Sequence, residues 1–276
     1  MQKFSTQQLS TYGAEYHKKG YIVVRDFFNA EDMAHLTQWT SEVENWPIVG
    51  EKWFKYYELL DNQEKVLSRV ENFVEYHQGF KQLVSDKKLL HLLTSLMGES
   101  VIFFKEKLNL KAPGAKGYTA HQDAPAFFDI DYDAISIFIA IDPATIENGC
   151  VSFVKNGEQF KEKLLPQNTH NHALSKEVVD TLHWEPIECS PGDVIIFSAY
   201  APHYSTPNNT SDSRRAVFLT FGKTRNSISK TKVYYDKKRK IFPQDSERCP
   251  DVDYTSAASI YSFSSPVIVN VSSTKK

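Results

Sequence analysis

Residues 190–205 read Ser190-Pro191-Gly192-Asp193-Val194-Ile195-Ile196-Phe197-Ser198-Ala199-Tyr200-Ala201-Pro202-His203-Tyr204-Ser205, and this stretch decides the fold class. Ser-Pro-Gly-Asp is a turn: proline presets φ, glycine tolerates positive φ, and serine and aspartate bond to nearby backbone. Val194 to Phe197 is a short apolar run of β-branched and aromatic residues, the pattern of a buried strand. His203 lies just beyond the strand's end. Thr206-Pro207-Asn208-Asn209 then loops, and Arg215 to Phe221 returns as a further strand with Arg214 and Arg215 at its start. Upstream, residues 101–110 partly alternate, and Ala112-Pro113-Gly114-Ala115-Lys116-Gly117 breaks the chain shortly before His121-Gln122-Asp123. Strands are expected over 101–110, 134–142, 150–155, 187–197 and 215–222, with Glu147-Asn148-Gly149 as a tight turn. The fold class is therefore mainly β with flanking helices.

The front of the chain is more helical. Leu9, Tyr12 and Tyr16 recur at helical spacing until Lys19-Gly20 stops them, and Tyr21 to Val24 reads as a strand. Asn29 is placed to cap a helix that ends before Pro47, with Glu31 and Asp32 in its first turn. Another helix is expected from about Gly79 to Met97, closed by Gly98. The tail after about Ser262 reads as loosely ordered. The expected organisation is one domain over 1–276: a helical part to about 100, a β core over about 101–225, and a C-terminal extension over 226–276.

Composition bounds the function classes. With 276 residues, 41% of them hydrophobic, the chain can bury one substantial core. A formal net charge of −2 gives no footprint for nucleic acid or an anionic membrane. The apolar run Ala134 to Ile141 is far too short to span a bilayer, and the polar N-terminus lacks a signal-peptide core, so a cytoplasmic location is expected. Cys150, Cys189 and Cys249 are odd in number and widely spaced, as befits free thiols.

The candidate chemistry lies at the strand rims. Two histidines and one carboxylate, here His121, Asp123 and His203, are the donor set that binds Fe(II) on one face and leaves the other open. An arginine downstream of the second histidine offers a planar, permanently charged fork that suits the carboxylate of an oxo acid. Arg214 and Arg215 are adjacent, and strand alternation lets only one of them face inward.

Taken together, His121-x-Asp123, His203-x-Ser205, Arg214 and Asn109-x-Lys111-x-Pro113 resemble the phytanoyl-CoA dioxygenase family of Fe(II)/2-oxoglutarate-dependent oxygenases, over about Tyr12 to Arg248. The resemblance implies a double-stranded β-helix, or jelly roll, of the cupin-like kind. It implies that His121, Asp123 and His203 hold the iron, that Arg214 rather than Arg215 pairs with 2-oxoglutarate, and that Ser205 and Asn109 assist. O2 is then the second cosubstrate. Where many relatives show Pro-Gly-Ser-His after Asn148-Gly149, this chain has Lys155-Asn156-Gly157-Glu158, so no role carries over there. An intact Asp123 argues for hydroxylation, since related halogenating enzymes replace it with a small residue.

Trp46-Pro47, Lys52 to Glu58, Arg69 to Phe73 and Tyr234-Tyr235-x-x-Lys238-Arg239-x-x-Phe242-Pro243 further resemble the bacterial branch that hydroxylates 2-aminoethylphosphonate and its trimethylated analogue. A small polar substrate follows, with Lys55, Arg69, Asn72, Lys105, Lys107 and Tyr118 as candidate contacts. Trp53, Tyr56, Tyr57, Phe73 and Tyr118 are an aromatic set suited to enclosing an ammonium or to forming core. Two other readings stand beside this one: the same cofactors acting on an acyl-CoA or another metabolite, and a cupin-like module that binds metal without turnover.

Overall fold

Alternation along the strands divides the computed structural model into an apolar outer layer and an interior between two sheets, apolar on one side and polar around β3 and β4. The structure describes residues 4–130, 133–168, 172–224, 230–262 and 264–270. The chain opens with α1 (Thr6–Lys19), β1 (Tyr21–Val24) and α2 (Ala30–Asn45), followed by β2 (Phe54–Leu59) and β3 (Lys65–Glu71). Helices α3 (Gln78–Leu83) and α4 (Lys87–Met97) precede β4 (Val101–Lys111), β5 (Tyr118–His121), β6 (Ala134–Ala140) and β7 (Val151–Val154). Then come α5 (Lys176–Val179), β8 (Trp184–Ile187), β9 (Val194–Ser198), β10 (His203–Ser205) and β11 (Arg214–Lys223). Helices α6 (Lys230–Ile241) and α7 (Thr255–Tyr261) follow.

The major sheet has the order β1-β9-β6-β11-β4-β3-β2 and the minor sheet β5-β10-β7-β8, with every pairing antiparallel. On the outer face of the major sheet Ile135, Ile137, Ile139, Val217 and Leu219 are buried against Leu36, Val43, Leu89 and Leu93 of α2 and α4. Each such side chain contributes about 1.5–3 kcal/mol through area removed from water. The alternate residues face the minor sheet, where Phe138, Ile195 and Phe197 pack on Val151 and Phe153. Among the described residues no helix is long and apolar enough to cross a membrane.

Local signals act as read at α1 and α2. Asn29 and Asp32 form a reciprocal capping box, and Gly20 ends α1 in the left-handed region at φ 78°. Three expectations need correction. The helix expected over Gly79–Met97 is two helices, because the Asp86 carboxylate accepts from the Leu89 amide and starts α4 afresh. The strand expected over 187–197 is also two, since Gly192 at φ 94° turns the chain from β8 in the minor sheet to β9 in the major one. A Cβ at Gly192 would lie 2.6 Å from the Phe28 carbonyl, so the turn also needs glycine for space. Finally, the tail is anchored as far as it is described. Thr119 N donates to Ser264 O, Ile268 N to Tyr57 O, and Arg248 Nη1 to the carbonyls of Ile268 and Val269. Residues 271–276 lie outside the described set.

Candidate active site

The end of β5 and the start of β10 bring His121 and His203 opposite one another as direct cross-strand partners, with ring centroids 4.2 Å apart. Asp123 follows β5, and the ligand-capable atoms of all three buried residues lie within 4.8 Å of one another. Each imidazole is oriented from behind. His121 Nδ1 sits 2.6 Å from Thr119 O and His203 Nδ1 2.9 Å from Ala201 O, contacts that place the proton on Nδ1 and make Nε2 the ligating nitrogen. Gln122 pins the loop between the ligands. Its amide donates to Tyr200 O and Lys163 O and accepts from the Leu165 amide, a structural role that sequence reasoning missed.

Burial, with His203 close by, pushes His121 down to about 3, and burial also lowers His203. Burial alone would raise Asp123, but Lys107 and the two histidines outweigh it and hold the carboxyl at about 2. Two neutral imidazoles and one carboxylate are thus ready at neutral pH, a donor set that fits Fe(II).

Beside the triad, a bulge in β5 sets four residues of that strand (118–121) against three of β10 (203–205), pairing Ser205 with Tyr118 while His203 pairs with His121. The extra residue offsets the two-residue period, so Tyr118 and His121 share the face that carries Ser205 and His203. Opposite them the cross-strand partners Lys111 and Arg214 both point inward. Lys111 Nζ donates to Ser205 Oγ at 2.9 Å and Arg214 Nη2 to Gly149 O at 3.2 Å. Burial, reinforced by Arg214, lowers Lys111 to about 6. Arg214 Nε, Asn109 Oδ1 and Tyr118 Oη are buried without a hydrogen-bond partner among the described residues. Unpaired buried polar atoms cost roughly 1–3 kcal/mol each, so this wall is built for a group that completes it. Two adjacent cations and a hydroxyl suit the far carboxylate of a dianionic oxo acid.

Arg215 points the other way. It grips Asp142 through Nε and Nη2 at 2.8 and 2.9 Å and donates to Ser41 Oγ. Lys111 was missed as a site residue, although Lys105, Lys107, Asn109 and Lys111 repeat at the period of a single strand face.

The phytanoyl-CoA dioxygenase family model matches residues 16–216. The chain is 34% identical to a 2-aminoethylphosphonate dioxygenase from an uncultured bacterium, over 96% of this chain and 99% of that one. It is 36% identical to a methylphosphonate hydroxylase from Gimesia maris, over 83% and 86% of the two chains. The chain belongs to the phytanoyl-CoA dioxygenase family. It is a dioxygenase, and its architecture is a jelly roll shared with the solved structures that follow. The epimerase SnoN, solved with Fe3+, alpha ketoglutarate and nogalamycin RO, superposes with a TM-score of 0.66 at 18% identity over 79% of this chain and 85% of its own. EctD from S. alaskensis, with 2-oxoglutarate and 5-hydroxyectoine, gives 0.64 at 20% identity over 81% and 77%.

The dioxygenase gathers only some of the residues marked for substrate. Arg69 pairs with Asn109, and the inner face of β4 presents Lys105 and Lys107, the latter close enough to Asp123 to lower its carboxyl. Lys55 lies on the opposite face of β2, donating to Glu44 O of α2 at 2.8 Å. Asn72, at φ 60°, donates to Lys52 O and ties down a loop. Lys55 and Asn72 are therefore framework residues, placed away from the triad by strand parity and by the turn after β3. The aromatic set also disperses. Trp53 packs at a tilt on Trp46 and Phe73 edge-on against Phe80 in the outer core, Tyr57 lies beneath Lys65, and Tyr56 and Tyr118 face inward.

Proposed function

We propose that this dioxygenase uses Fe(II), 2-oxoglutarate and O2 to hydroxylate a small phosphonate of the 2-aminoethylphosphonate kind. His121, Asp123 and His203 hold the iron, and Arg214, Lys111, Ser205 and Asn109 hold the oxo acid. The bound iron supplies oxygen activation: one oxygen atom enters the substrate's C–H bond next to phosphorus, the other enters succinate, and CO2 leaves. The chain's own part is orientation and exclusion of water. Thr119 O and Ala201 O fix the two imidazoles, and Arg214 with Lys111 would hold the far carboxylate of the oxo acid.

One observation carries the choice of substrate. Three cations, buried Arg69 and Lys105 and partly buried Lys107, line the inner wall on the side of Asp123, while the nearby carboxylate Glu71 is already shared between Arg69 and Lys238. Burial lowers Lys105 to about 7, with Lys107 adding to the effect, so an arriving dianion favours the ammonium and is itself favoured. A wall for an acyl chain would be apolar, and a metal-binding module without turnover has no use for the Arg214 and Lys111 clamp. The phosphonate relatives, similar over most of their length, support the same reading. The free cysteines support a cytoplasmic location.

Succinate formation measured against a panel of phosphonates, betaines and acyl-CoAs, with phosphorus NMR of the products, tests it. Stimulation by 2-aminoethylphosphonate or an N-methylated analogue is expected, and Arg69→Ala raises the KM for the phosphonate more than that for 2-oxoglutarate. Stimulation by an acyl-CoA with no response to any phosphonate overturns the substrate and leaves the cofactors standing.

A further inference from the structure

The described tail beyond α7 lies outside the part of the chain that matches the family model, yet it closes on the site. Arg69 is buried, and its Nη2 donates to Ser262 Oγ at 3.0 Å and Ser265 Oγ at 2.5 Å, while Nη1 donates to Glu71 at 3.1 Å. Arg69 Nε and Ser264 Oγ are both buried without a hydrogen-bond partner among the described residues. Ser264 stands at φ 58°, in the left-handed region where residues other than glycine carry strain, and its carbonyl accepts from Thr119 N of β5. The strand that delivers His121 therefore also holds this serine turn in place. Two hydroxyl oxygens that accept from one guanidinium keep their own protons free to donate. A buried cation ringed by donors and holding an unused N–H is a site for an anion.

We propose that Ser262, Ser264 and Ser265 complete the phosphonate subsite around Arg69, the hydroxyls donating to phosphonate oxygens that also accept from Arg69 Nε. This rests on the phosphonate reading above. The tail is then a specificity element: three short neutral donors grip a tetrahedral dianion at several oxygens, a geometry that a planar carboxylate does not match. Because the reading places the hydroxylated carbon next to phosphorus, gripping this end also sets which C–H bond faces the metal.

The test is calorimetric titration of 2-aminoethylphosphonate into the anaerobic enzyme carrying Fe(II) and 2-oxoglutarate. Ser262→Ala/Ser265→Ala is expected to weaken phosphonate binding at least about tenfold, as for lost hydrogen bonds to a charged group, with 2-oxoglutarate affinity unchanged. Ser262→Thr/Ser265→Thr retains the hydroxyls and is expected to retain most of the affinity. The alanine pair is also made in an Arg69→Ala background, where direct contact predicts a further loss. No further loss there means that the serines act only by positioning Arg69 and overturns the proposal. Unchanged phosphonate affinity in the alanine pair overturns it too, with the phosphonate reading intact. Equal losses in the alanine and threonine pairs, with a lowered Tm, mark packing alone and overturn it as well. Failure of the unmutated enzyme to bind phosphonate while it binds 2-oxoglutarate removes the phosphonate reading and this subsite with it.

Discussion

Arg214 and Arg215 are chemically identical neighbours on one strand, and the two faces of the major sheet give them opposite surroundings. Arg215 faces out, held by Asp142, Ser41 and Glu44 in a half-exposed ion-pair network. Arg214 faces in, buried beside the Lys111 amine, with one carbonyl contact and an unpaired Nε. The same division runs across the sheet. The outer face is close-packed isoleucine, leucine and valine, whereas β3 and β4 turn Arg69, Lys105, Lys107, Asn109 and Lys111 inward. The outer parity of the strands is apolar throughout, while the inner parity is apolar on β6 and β9 and on β3 and β4 carries charge that protein partners offset only in part.

The sharpest way to break this division is Arg214→Leu. Losing one partner of a buried charge-assisted contact costs about 2–5 kcal/mol, on the order of 30-fold or more in 2-oxoglutarate affinity by titration. Iron affinity is expected to hold, because no metal ligand is touched. The ligand-free variant is expected to melt no lower than the parent, since a buried cation next to Lys111 has been removed. A lower Tm together with intact 2-oxoglutarate binding would place Arg214 among the structural residues.

The outer face should respond in the opposite sense. Ile137→Ala removes a fully buried side chain beneath the helices and is expected to cost about 2–5 kcal/mol in denaturant unfolding. The KM for 2-oxoglutarate should stay at the parent value under conditions where the variant is folded. A raised KM at full folding would mean that the two faces are coupled through the strand.

How much of this division was legible in the sequence follows from parity. His121, Asp123 and His203 stood out because each adjoins a strand end marked by a turn. The short strands around them were legible for the same reason, as runs bounded by Pro, Gly and Asn. Which arginine faces inward came from the family resemblance and not from the local pattern, since a one-residue slip in register exchanges them and the pairing of Arg214 with Lys111 is a long-range fact. Lys55 and Lys107 look alike as letters, yet opposite parity sends one to Glu44 and the other towards Asp123. The β5 bulge has no clear sequence mark, and it is what places Tyr118 and His121 on one face. The tail reads as polar and loose because its order comes from long-range bonds to Tyr57, Thr119 and Arg248, which no local pattern encodes.

A smaller effect is expected from Arg215→Leu, the counterpart of the first substitution. Its pairs are partly solvated, so about 1 kcal/mol of stability should be lost, read from denaturant midpoints. The 2-oxoglutarate affinity should remain near that of the parent. If Arg215→Leu impaired 2-oxoglutarate binding more than Arg214→Leu does, the inward arginine would be the wrong one and the register argument would fail.

The finest probe of the inner wall is a proton. Burial, with Arg214 adding to it, holds the Lys111 amine at about 6, so in the ligand-free enzyme near neutral pH it is mostly uncharged. A carboxylate arriving beside it favours the ammonium form, raises the pKa, and draws a proton from the buffer. Calorimetry of 2-oxoglutarate binding to the iron-loaded enzyme in buffers of different ionisation enthalpy reads this uptake as a slope. Near neutral pH the slope should correspond to a fraction of a proton taken up, on the order of half or more. It should shrink as the pH falls below about 6, where Lys111 is already charged before the ligand arrives. Lys111→Met should abolish it, and Arg214→Leu should reduce it, because without that neighbouring charge Lys111 holds its proton more readily. A slope of zero at neutral pH in the parent enzyme would mean that Lys111 is charged throughout, and that the inner wall tolerates two adjacent cations without help from a ligand.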